Sequence, residues 1–134
     1  MNRFVFKFNI YHSKMKVLTG GKFNRIHEGH LYLLKKAKEL GYLIVVIAHD
    51  LHNKRDYAIS AEKRKKLVEE TGLADKVIIG DDKDFSKIID DEKPDIIVLG
   101  YDQQLPQNTE KKIKKYGIRI IRIDKHGDYS SKKV

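Results

Sequence analysis

Lys16-Val17-Leu18-Thr19-Gly20-Gly21-Lys22-Phe23-Asn24-Arg25-Ile26-His27-Glu28-Gly29-His30-Leu31 carries the chain from a short apolar run, through paired glycines, into helical periodicity. That order, strand then glycine turn then helix, is the opening of a β-α unit. Working outward, four more apolar runs follow: Leu43 to Ala48, Val77 to Ile79, Ile96 to Leu99 and Ile118 to Ile123. Each is short and rich in Val and Ile, as strands buried on both faces tend to be. Helical segments alternate with them: His30 to Leu40, Ala61 to Thr71, Phe85 to Asp91 and Thr109 to Tyr116. Most end near Gly41, Gly72, Pro94 or Gly117, residues that stop a helix.

Repeated strand-helix alternation predicts an α/β fold, a Rossmann-like open parallel five-stranded sheet with helices on both faces. Such sheets bind ligands at the carboxyl ends of their strands, where the strand order reverses. Attention therefore falls on the residues after Leu18, Ala48, Leu99 and Ile123.

The 134 residues suit one domain, taken as residues 15–134. Residues 1–14 form a leader in which Phe4, Phe6, Phe8 and Ile10 alternate, fitting an extra strand or a flexible tail and lacking the pattern of a secretory signal. No apolar run approaches the roughly 18 to 20 residues of a bilayer span, so no membrane partner is expected. The absence of cysteine excludes disulfides and thiolate chemistry and fits a cytoplasmic, reducing setting. A net charge of +9 favours anionic partners. The lysines of Lys35-Lys36, Lys63 to Lys66 and Lys111 to Lys115 are spread over several helices, as on ordinary solvated faces, and no nucleic-acid partner is expected.

His27 and His30 stand three residues apart at a helix start, beside unpaired backbone amides whose dipole favours anions. Gly29 permits close approach to the backbone. The combination predicts a phosphate cradle with two imidazoles pointing into it. A Walker loop and a GxGxxG fingerprint are both absent, and the histidine spacing is not that of a zincin. No protein metal ligand is assigned.

These residues resemble the HxGH nucleotidyltransferases, which include glycerol-3-phosphate cytidylyltransferase, phosphopantetheine adenylyltransferase, archaeal-type FAD synthase and ADP-heptose synthase. The likeness spans Met15 to Val134. The family's usual Gly-Thr-Phe-Asp stands here as Gly21-Lys22-Phe23-Asn24, followed by His27-x-Gly29-His30. The resemblance implies that His27 and His30 contact a triphosphate and stabilise the phosphorus under in-line attack, with Gly20, Gly21, Phe23 and Gly29 around the nucleotide. An imidazolium beside phosphate is expected to stay protonated above its reference pKa of about 6.5. Lys22 suggests a cationic contact to the acceptor phosphate. Asn24 lacks the charge that would help to hold Mg2+, so the ion is expected to come with the triphosphate.

By the same resemblance Lys54 and Arg64 reach phosphates, with Arg55 able to stand in for Lys54. Gly100-Tyr101-Asp102-Gln103 looks like the turn bordering the nucleotide in archaeal-type FAD synthases, so Gly100 and Asp102 join the site. Asp128-Tyr129-Ser130-Ser131 resembles the family's phosphate clasp, contributed by Ser130 and Ser131. The implied reaction is AMP transfer from ATP to FMN. Cytidylyl transfer from CTP to glycerol or sugar phosphate is the alternative, and a non-catalytic nucleotide- or RNA-binding module is the contrasting class. A homodimer is implied by the relatives.

Overall fold

Lys16–Gly21 forms β1, the central strand of a computed structural model that describes residues 15–50, 53, 59–106 and 108–124. The leader 1–14 and the candidate residues Lys54, Arg55, Ser130 and Ser131 lie outside the described residues. The chain continues through α1 (Glu28–Lys38), β2 (Tyr42–Ile47), α2 (Ala61–Glu70), β3 (Lys76–Ile79), α3 (Lys87–Glu92), β4 (Ile96–Leu99), α4 (Glu110–Tyr116) and β5 (Arg119–Arg122). The five strands are all parallel, in the order β3-β2-β1-β4-β5. The fold expected from the alternation is the fold observed.

Leu43 to Ile47 are each 0% exposed, the signature of a strand covered on both sides. Each such side chain contributes about 1.5–3 kcal/mol on burial. One face packs Val17, Val45 and Val98 with Leu34 and Ala37 of α1 and Val68 of α2. The other packs Leu18, Val46 and Leu99 with Ile88 and Ile89 of α3, and with Ile113 and Tyr116 of α4. Helices α1 and α2 therefore cover one face and α3 and α4 the other.

Two boundaries differ from the sequence expectation. β1 runs on through Thr19-Gly20-Gly21, because those residues pair with Val45, Val46 and Ile47 of β2. α1 begins at Glu28, with His27 as its N-cap, so the motif belongs to the helix start itself. Among the described residues no helix is long and apolar enough to cross a membrane.

The order reverses between β1 and β4. These strands share two register pairs, Val17 with Ile96 and Leu18 with Ile97, against six between β1 and β2. Beyond Leu18 the Thr19 hydroxyl donates to the Val98 carbonyl at 2.8 Å, a side chain continuing what the ladder has left. The strands part above that point.

Candidate active site

The turn after β1 is shaped by a buried aromatic. Phe23 has φ 53, a left-handed conformation unusual for a bulky residue, and is 3% exposed. Its ring lies back over Gly21, where an added Cβ would stand 2.9 Å from Phe23 Cε2. The same ring sits 5.1 Å from that of His30, centroid to centroid. Phe23 thus turns the chain and supports the histidine pair.

The histidines cap α1 reciprocally. Gly29 N–H donates to His27 Nδ1 at 3.0 Å, and His27 N–H donates to His30 Nδ1 at 3.2 Å. The rings stack at 3.8 Å with 27° between planes. Because each Nδ1 accepts a backbone N–H, the proton of each neutral ring resides on Nε2. The pair supplies two parallel donors without needing a positive charge. Gly29 is required for a reason the sequence did not disclose: a Cβ there would lie 2.9 Å from His27 Cε1, inside the imidazole that caps the helix.

The surroundings of His30 within the chain favour its neutral form. Burial first, then the charges of His27 and Arg25, push its pKa from 6.5 down to about 4.

A cavity of about 1050 Å3 opens at the carboxyl ends of the strands. Gly20, Gly21, Lys22, Phe23 and Asn24 line it from the first turn, and His27, Gly29 and His30 from the helix start. Gly100 and Asp102 line it from the turn after β4. These candidates, scattered over 83 positions of sequence, share one concavity at the point where the strand order reverses.

Arg64 does not line it. The side chain is 0% exposed. Its Nε donates to the Ile59 carbonyl, Nη1 to the Lys22 carbonyl and Nη2 to Asp50, all at 2.8–2.9 Å. Three of its five N–H groups join Ile59 and Asp50, before α2, to the turn after β1. Buried in this way, Arg64 supports the site through the Lys22 backbone, where the sequence reading expected a direct phosphate contact. Asn24 is likewise engaged, exchanging both amide hydrogen bonds with Asn53 at 2.8 Å.

Gln103 was visible in its turn but not singled out. Its Oε1 accepts from Gly100 N–H and its Nε2 donates to the Gly20 carbonyl, each at 2.8 Å. One side chain thus bridges the tips of β1 and β4 where they part. Arg122, at the end of β5, donates to the carbonyls of Gly100 and Gln103 and holds the same turn from behind. Phe85 also lines the cavity, beside Gly20 and Gly80. Among the described residues no cluster of three or more His, Cys, Asp or Glu could hold a metal ion.

The cytidylyltransferase-like family model matches residues 18–133. An FAD synthase of Picrophilus torridus is 38% identical over 120 residues, covering 84% of this chain and 86% of the relative. An FAD synthase of Archaeoglobus profundus is 39% identical over 115 residues, covering 81% and 74%. A crystal structure described as a lipopolysaccharide core biosynthesis protein from Thermoplasma volcanium is 37% identical, with a TM-score of 0.74 over 84% of this chain and 98% of that one.

Proposed function

The chain belongs to the cytidylyltransferase-like family, and from that membership we propose that it adenylylates FMN, transferring AMP from ATP to give FAD and pyrophosphate. It is a nucleotidyltransferase. The observation that carries the chemistry is the stacked His27-His30 pair, whose Nδ1 atoms are held by helix amides so that both Nε2–H groups remain for an anion.

In this reaction a phosphate oxygen of FMN attacks the α-phosphorus of ATP. The new P–O bond forms as the bond to the α,β-bridging oxygen breaks, and pyrophosphate leaves with that electron pair. No covalent enzyme intermediate is involved. Catalysis of this kind is positioning plus charge stabilisation. His27 and His30 donate from Nε2 to the triphosphate as charge moves toward its leaving end. The dipole at the start of α1 adds to this stabilisation. Lys22, exposed on the cavity rim, is assigned to the acceptor phosphate. Mg2+ enters as part of the ATP substrate, and the Asn24 amide, already bonded, is not given the task of holding it. Residues 15–134 are taken as one catalytic domain working in the cytoplasm as a homodimer.

The test is pyrophosphate release with ATP or CTP crossed against FMN, glycerol phosphate and a heptose phosphate. Release with ATP and FMN, with FAD as product, is expected. Cytidylyl transfer to glycerol or a sugar phosphate is the second choice. Turnover with a sugar phosphate and none with FMN would replace the first choice by the second. No release from any pair, together with salt-sensitive RNA binding, would remove the enzyme reading.

A further inference from the structure

Asn24 occupies the place where the family pattern has aspartate, and the hydrogen bonds around it account for the amide. Its Oδ1 accepts from the Asn53 amide at 2.8 Å and from Ile59 N–H at 3.1 Å, while its Nδ2 donates to Asn53 Oδ1 at 2.8 Å. The backbone N–H of Ile59 can only donate, so it fixes which end of the Asn24 amide faces it. That in turn fixes Asn53. Asn53 is 5% exposed, and its own N–H donates to the Asp50 carbonyl. An aspartate at position 24 would accept the same two bonds but return none, leaving the buried Asn53 Oδ1 against a carboxylate.

We propose that Asn24 and Asn53 form a reciprocal carboxamide clasp that positions the phosphate-binding turn, and that Asn24 acts through Asn53 without touching substrate or metal. The clasp joins the turn between β1 and α1 to the segment between β2 and α2. Arg64 makes the second tie between the same two segments, through the carbonyls of Lys22 and Ile59. Ile59 therefore serves both ties, one through its N–H and the other through its carbonyl. Both lone pairs of Asn24 Oδ1 are occupied, so none is left for a cation. The side chain nevertheless lines the cavity, so a shift of the clasp moves the wall that the triphosphate meets.

This inference rests on the reading of the cavity as an ATP site, and the experiment separates the two. Wild type, Asn24→Ala, Asn53→Ala and the double variant are assayed for kcat and for the KM of ATP, with thermal midpoints measured alongside. Each single substitution is expected to lower kcat about tenfold with the KM for ATP within about threefold, and the double variant to lose no more than either single one. Asn53→Asp still accepts from Asn24 Nδ2 but sets its second oxygen against Asn24 Oδ1, and is expected to lower kcat as the alanine variants do. It also serves if the alanine variants fold poorly. Asn24→Asp is expected to lose activity as Asn24→Ala does.

Three results would overturn the clasp. They are an Asn53→Ala variant with normal kcat beside an inactive Asn24→Ala, a gain of activity in Asn24→Asp, or thermal midpoints that fall while kcat stays unchanged. A wild type that neither binds nor consumes ATP would instead overturn the functional reading and this inference with it.

Discussion

The two faces of the sheet begin their helices differently. On one face α1 and α2 have 11 and 10 residues, and side chains cap both: His27 on α1 and Ser60 on α2. On the other α3 and α4 have 6 and 7 residues, no side-chain cap bond, and left-handed endings at Lys93 and Gly117. The shorter pair is tied by Asp90, which accepts from Lys112 Nζ and Tyr116 Oη at 2.6 Å. Where a helix start faces the cavity at the switch point, the cap is made from the residues assigned to the chemistry. His27 both closes its helix and lines the cavity. The other face holds the sheet and adds Phe85, Ile89 and Thr109 to the cavity wall without a side-chain cap bond.

The sharpest way to break this comparison is to separate capping from donation. His27→Ala or His30→Ala removes both and is expected to lower kcat about a hundredfold or more, with a stability loss of about 1 kcal/mol. Ser60→Ala removes a cap alone, costing about 1 kcal/mol with turnover unchanged. Equal losses of activity in the two helices, read by pyrophosphate release, would erase the distinction.

Arg64→Met is next in size. Three acceptors lose their shared donor, and a loss of about 2–4 kcal/mol is expected in denaturant unfolding. The activity that survives should return when the protein is assayed well below its thermal midpoint. Complete inactivity in folded protein would restore Arg64 as a direct ligand.

A smaller effect concerns pH. The unfolded chain takes up the His30 proton more readily than the folded one, because the folded value is about 4 against 6.5. The stability carried by the neutral ring is complete above about 6.5 and is lost as pH falls toward 4. The thermal midpoint of wild type should therefore drop toward that of His30→Asn across this interval. Parallel curves would contradict the depressed value.

Least is expected from Asp90→Asn on the other face. Lys112 and then Tyr116 hold the Asp90 carboxyl below its usual range. Its loss should lower the midpoint slightly and leave kcat and KM alone. A change in KM for either substrate would show that this face communicates with the cavity.

The fold was legible because the strands of a parallel sheet announce themselves as apolar runs, and Leu43 to Ala48 did so plainly. β1 looked shorter than it is, since Gly20 and Gly21 read as a turn while their backbones still pair with Val46 and Ile47. The histidine motif was legible from spacing, and the glycine and aspartate after β4 from their place at a strand end. What stayed hidden depends on distant partners. The guanidinium of Arg64 donates to carbonyls that local sequence does not point to, one of them 42 residues away. Asn24 meets Asn53 across 29 residues. Gly29 looked like room for phosphate, and only the position of the His27 ring gives its other reason.

The parting of β1 from β4 has an architectural consequence. Two paired positions and the Thr19 hydroxyl rivet a three-strand ribbon to a two-strand ribbon. Loops at the tips of β2 and β3 ride on the first, those of β4 and β5 on the second. Gln103 reaches back across the parting to the Gly20 carbonyl, so the loop after β4 is tied to the first ribbon and a change there is felt at the tip of β1.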